Sequence, residues 1–271
     1  INDILNSITN VYFSTFFVFY FLNVTNYEII PLAKYYITTY LFIGIGFVLI
    51  TKFIKNNIKV EFFRIGIALK ALYIALIMLL KEKIVDYVYL VAIIDGLAKG
   101  LYSYPKNLLN AEKITNEDRQ KYSGIINTIC QIISIIIPLL LGILLTYFTY
   151  VELGKVLFIL FIVMYIISFK LKDDKHYKRK LEFKRFFKLV KSNKKIRYAL
   201  LKPFLSGFTI SSGVMYLIIT LYKIYNFKTN LNLGFVTSIC SFICLISCII
   251  FGLKIKRKNF NKVMIFRSEE H

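Results

Sequence analysis

Eight apolar segments, each long enough to cross a bilayer, occupy almost the whole chain between Ile4 and Leu253. An α-helix rises about 1.5 Å per residue, so roughly 20 apolar residues cross the ~30 Å hydrocarbon core. The segments run over 4–24, 32–51, 62–80, 84–104, 123–147, 155–171, 198–222 and 231–253. In lipid every backbone N–H and C=O needs an internal partner. Runs this long, without period-two alternation, meet that need as helices and not as barrel strands. The fold class is therefore an all-α polytopic membrane protein. Composition agrees: a mean hydropathy of +0.62 with 17% aromatic residues is not that of a soluble domain. The first apolar run lacks a basic n-region and a small-residue cleavage site, so it reads as a span and not as a removable leader.

The formal net charge is +21, and its placement carries more than its size. Basic residues crowd the loops 52–64, 106–121, 170–197 and 254–262, whereas the alternate loops carry at most two each. Cytoplasmic loops retain Lys and Arg, which predicts a multi-pass protein of the plasma membrane with both termini and the 170–197 connector in the cytoplasm. Charge concentrated at membrane edges makes the bilayer the partner and argues against nucleic acid. The connector holds thirteen Lys or Arg against Asp173, Asp174 and Glu182. Within it Leu181, Phe183, Phe186, Phe187 and Val190 share one helical face, and Lys184, Arg185, Lys188 and Lys191 the other. That pattern predicts an amphipathic helix on the cytoplasmic leaflet. The chain divides into a six-helix bundle over 1–171, the connector 172–197, two further helices over 198–254, and a basic loop with a polar tail over 255–271.

A charge at the bilayer centre costs at least ~2.5 kcal/mol. Asp95 and Lys99 meet that cost together in the fourth span, at the i,i+4 spacing that favours an acid before a base. Two readings stand side by side: the pair neutralises itself, or it lines a cavity and meets a charged substrate or coupling ion. Lys70 is a third intramembrane charge, with either an interior contact or a snorkelling geometry; Lys106 and Lys202 read as snorkelling. Among neutral polar residues, Ser14, Thr15, Ser134, Ser206, Thr209, Ser211 and Ser212 are ordinary helix-packing types. The amides Asn10, Asn127 and Gln131 are costlier to bury and are the better binding candidates. Cys130, Cys240, Cys244 and Cys248 lie inside spans, while His176 and His271 lie outside, so no metal or cofactor site is expected. With no intramembrane His and only Asp95 as a deep carboxylate, an embedded enzyme lacks its base and its nucleophile partner.

Several motifs carry a family resemblance. Asp95-Gly96-Leu97-Ala98-Lys99-Gly100 runs on to Pro105, nine residues after the first glycine. Arg119 in the following loop precedes Gly124 by five residues; Pro138 and Gly142 lie in span five; and Gly252-Leu253-Lys254-Ile255-Lys256-Arg257-Lys258 closes span eight. The pattern resembles the major facilitator superfamily. The resemblance implies a six-helix N-terminal bundle plus the first two helices of a C-terminal bundle, in a frame truncated after the eighth of a usual twelve helices. It also implies a secondary-active transporter, permease or efflux pump, that moves a small organic solute or drug by alternating access, with or without a coupled ion. It places helices one, four and seven around a central cavity and gives Arg119 a gating role in the cytoplasmic loop. Ala92 stands where the family carries a helix-four arginine, which favours substrate contact over proton coupling for Asp95. A non-transporting membrane interaction protein, or an inactive transporter fragment, is the alternative, ahead of an enzyme.

Overall fold

The computed structural model describes residues 2–53, 59–114, 116–171, 183–198, 201, 220 and 229–254. Among these there is no strand. Helix α1 covers Asn2–Val24, α2 Ile29–Phe53, α3 Lys59–Leu80, α4 Val88–Lys113, α5 Asn116–Tyr147 and α6 Tyr150–Ser168. Helix α7, Phe183–Ser192, falls within the predicted amphipathic stretch, and α8, Asn230–Lys254, matches the eighth apolar segment. The seventh segment, 198–222, and the tail 255–271 lie outside the described residues apart from a few isolated positions.

Local chemistry sets the helix ends. Helix α1 stops where the Tyr27 N–H donates to the Leu22 carbonyl and the Asn26 N–H to the Asn23 carbonyl. This is a Schellman closure, with Asn26 in the left-handed slot at φ 49° that glycine usually fills. Helix α6 starts earlier than its hydropathy does, because Thr149 and Glu152 form a reciprocal capping box. The fourth helix starts later than its apolar run, since Lys81–Val85 forms a 3₁₀ turn after α3. Within α1, Tyr12–Phe16 forms a π turn.

Small residues decide which helices touch. A methyl group on Gly96 would stand 2.5 Å from the Thr39 carbonyl oxygen, and one on Gly100 would stand 2.8 Å from that of Ile43, so α4 lies backbone to backbone on α2. On its other flank, a methyl on Gly66 of α3 would meet the Tyr102 nitrogen at 2.6 Å. Helix α4 is thus clasped on both sides. Helix α3 in turn packs on α6, where Arg64 donates to the carbonyls of Ser168 and Leu171 and its guanidinium lies 4.6 Å from the Phe169 ring centre. The second half of α1 is buried in an aromatic core, with the Phe17 ring centre 5.5 Å from that of Tyr35, and Phe13 stacking on Phe161. Helix α5 pairs with α8 through Gly142 and Gly234, which face each other's backbones. Large apolar side chains on the outside, Ile37, Leu41, Ile159 and Ile166 among them, form the surface that lipid covers.

Six of the described helices are long and apolar enough to span a membrane: α1, α2, α3, α5, α6 and α8. Helix α4 is not in that set, because Asp95, Lys99 and a polar second half lower its hydropathy. This polar helix has close neighbours on both flanks, α2 and α3.

Candidate functional site

Asp95 sits in the first third of α4, 3% exposed, and among the described residues two donors converge on one of its carboxylate oxygens. The Tyr35 hydroxyl donates to Oδ2 at 2.6 Å, and the Lys99 ammonium donates to the same oxygen at 2.6 Å. Tyr73 on α3 shares a 2.7 Å hydrogen bond with the Tyr35 hydroxyl, so three helices contribute to one buried chain. Thus the i,i+4 pair exists, but its two members differ in position. Asp95 is sealed inside, whereas the Lys99 side chain is 35% exposed and reaches a cavity.

That cavity has a volume of about 640 Å³, within the ~300–1,000 Å³ usual for ligand pockets. Helix α1 supplies Asn6, Ser7, Asn10, Phe13 and Ser14 to its wall; α2 supplies Tyr36 and Tyr40; Lys70, Lys99, Ser103 and Ser134 come from α3, α4 and α5. Lys70 makes an interior contact and does not snorkel. It is 8% exposed, donates to Asn6 Oδ1 at 2.5 Å, and lies 3.8 Å from the centre of the Tyr102 ring.

The candidates read from sequence separate here. Asn10 and Lys99 line the cavity; Asp95 lies behind Lys99. Asn127 is exposed and, among the described residues, donates to Ser123 Oγ at 3.5 Å, one turn away on the same helix. Gln131 donates to the Ser241 carbonyl at 3.1 Å and so ties α5 to α8. The side chain of Arg119 lies outside the described part of the structure, as do Lys202, Ser206, Thr209, Ser211 and Ser212. Lys106 reaches the start of α1, where it pairs with Asp3 at 2.6 Å, and Tyr122 donates to the same carboxylate. Among the described residues no group of His, Cys, Asp and Glu is arranged for a metal.

Sequence reasoning missed Tyr35, Tyr73, Asn6, Tyr36, Tyr40 and Ser103. A helical-face signal was present for some of them. Asn6, Asn10 and Phe13 fall on one face of α1, and Asp95, Lys99 and Ser103 recur every four residues along α4. The tyrosines gave no such signal in a chain with twenty of them.

The sequence model of the Major Facilitator Superfamily matches residues 7–268. The chain belongs to that superfamily. The match takes in every described helix from the cavity face of α1 to α8 and makes this a membrane protein of a transporter family. No curated protein matches the chain.

Proposed function

We infer that this major facilitator superfamily member is a secondary-active transporter of a small organic solute, working by alternating access, and that the cavity among α1–α5 is half of its solute site. The observation that carries this reading is the cavity itself. A hollow among membrane-spanning helices, walled by two lysines, serines, amides and tyrosines, is costly to keep in a bilayer unless something polar passes through it. In this reading Lys99 and Asn10 contact the solute, and Asp95 acts through Lys99 by holding its ammonium at the wall. Residues 1–171 form one rocking half, 172–197 the cytoplasmic connector, and α8 belongs to the second half, so the α5–α8 contact with Gln131 is a seam between halves. The site is the plasma membrane, with both termini cytoplasmic and Arg119 in a cytoplasmic gating loop.

The test is a plug. Ser103→Trp puts an indole into the cavity, whereas Ile37→Trp puts one on a lipid-facing position that is 69% exposed. In proteoliposomes carrying the protein expressed from its natural reading frame, saturable uptake of a substrate found by screening labelled solutes should vanish in the first variant and persist in the second. Uptake that survives Ser103→Trp at normal protein level would rule the cavity out as the path.

A further inference from the structure

Lys70 stands eleven residues after Lys59 and ten before Leu80, close to the middle of α3. About 15 Å of helix therefore separates it from either end. A lysine buried there either gives up its proton or is answered by a counter-charge; the acceptor Asn6 Oδ1 and the Tyr102 ring face both favour the ammonium form, which then calls for an anion. The contacts it makes are a neutral amide, Asn6 Oδ1, and the uncharged face of Tyr102. Among the described residues no carboxylate forms an ion pair with it. Lys99 is different, since Asp95 answers its charge directly. Among the described residues the cavity wall thus carries two ammonium groups and no carboxylate, and the Asp95 carboxylate behind it is already shared with Tyr35. One positive charge is left over in a hollow of about 640 Å³.

We propose that the cavity binds a small monovalent organic anion, with its acidic group between Lys70 and Lys99 and its body against Phe13, Tyr36 and Tyr40. The charge surplus sets the sign of the ligand. The aromatic side chains favour a flat or apolar body over a fully hydroxylated one. Ser14 and Ser134 already donate to the Val11 and Cys130 carbonyls, so the wall hydroxyl that donates to a remaining lone pair of a carboxylate or phosphate is that of Ser103, one turn from Lys99. Asn6 has a further role: by accepting from Lys70 it aims the ammonium at the cavity and keeps it off the lipid side of α3. The inference deepens the transporter reading by naming the solute class, and it can fail separately from that reading.

The experiment uses the protein expressed from its natural reading frame, in nanodiscs. Equilibrium dialysis with labelled benzoate, benzyl phosphate, benzamide and benzylamine compares one body carrying different charges. Benzoate or benzyl phosphate should bind saturably and at least about tenfold more tightly than benzamide, and benzylamine should show no saturable binding. Which of the two anions binds tighter assigns the acidic group. Lys70→Gln should weaken the preferred anion at least about tenfold, without lowering the unfolding midpoint, because it removes a buried charge. Lys70→Arg should keep affinity within about threefold, which a purely structural lysine would not require. Equal binding of all four probes, a preference for benzylamine, no saturable anion binding, or an unchanged anion affinity in Lys70→Gln would each overturn the proposal. Flux measured in parallel separates the two claims. Anion binding without any flux keeps the site and removes the transporter reading; flux of a neutral or cationic solute without anion binding does the reverse.

Discussion

Gly→Ala at three helical sites should give three different answers, and the difference follows from what surrounds each Cα. In an open helix interior, alanine is favoured over glycine by about 1 kcal/mol because it restricts the unfolded backbone. At Gly44 on α2 nothing lies within 4 Å of the added methyl, so this gain should appear nearly whole. At Gly96 the methyl would meet the Thr39 carbonyl oxygen at 2.5 Å and Phe42 Cβ at 2.7 Å. Neither atom is the far end of a flexible side chain, so α2 and α4 must separate, and overpacking of this kind costs ~1–3 kcal/mol. Gly154→Ala meets Met78 Cγ at 2.7 Å, but a methionine side chain can swing aside, which places it between the two. Gly44→Ala and Gly96→Ala should therefore differ by about 3 kcal/mol, more than a hundredfold in the unfolding equilibrium. Detergent-titrated unfolding, read by near-ultraviolet circular dichroism of the tyrosines because the chain has no Trp, measures it. Equal shifts for Gly44→Ala and Gly96→Ala would refute the close clasp of α4 by α2.

The Asp95–Lys99 pair gives a double-mutant cycle. Asp95→Asn leaves Lys99 without its counter-charge and should destabilise by about 2 kcal/mol, below the value for a fully buried pair because Lys99 is one-third exposed. Asp95→Asn/Lys99→Gln should recover most of that loss in the same unfolding assay; no recovery would mean that Asp95 serves Tyr35 and Tyr73 and not Lys99. For orientation, single cysteines at positions 81 and 178 in a cysteine-free background should label oppositely with an impermeant thiol reagent on intact cells, with 178 protected. Labelling of 178 from outside would invert the proposed topology.

The helices were legible in the sequence because hydropathy over about 20 residues is a one-dimensional signal that needs no partners. Their ends were less so. The 3₁₀ turn at Lys81–Val85 and the capping box at Thr149 shift α4 and α6 by several residues, because hydrogen bonds and not hydropathy stop a helix. Asp95 and Lys99 were visible as a pair, since their spacing is local. What set them apart, Tyr35 and Tyr73, comes from helices about 60 and 22 residues away along the chain, and no spacing rule reaches that far. Asn127 and Gln131 show the orientation that spacing along one helix leaves open. Both are costly amides in an apolar span, but α5 turns Gln131 toward α8 and leaves Asn127 exposed, an orientation that depends on where α8 docks.

The polarity of α4 bears on how the chain enters the membrane. Asp and Lys each oppose insertion of a lone helix by ~2.5–3.5 kcal/mol at its centre, and α4 carries both on a backbone of modest hydropathy. It is a poor candidate to leave the insertion machinery alone. Its docking surfaces, however, are made before it: Thr39, Ile43 and Gly46 of α2 and Gly66 of α3 precede it in the chain, as do the hydroxyls of Tyr35 and Tyr73. The helices that supply the groove and the proton donor for Asp95 enter the insertion machinery ahead of it. Synthesis from the N-terminus thus delivers the least membrane-compatible helix last among the three that clasp one another. A rearrangement placing α4 ahead of α2 would ask the machinery to release it with its carboxylate still bare.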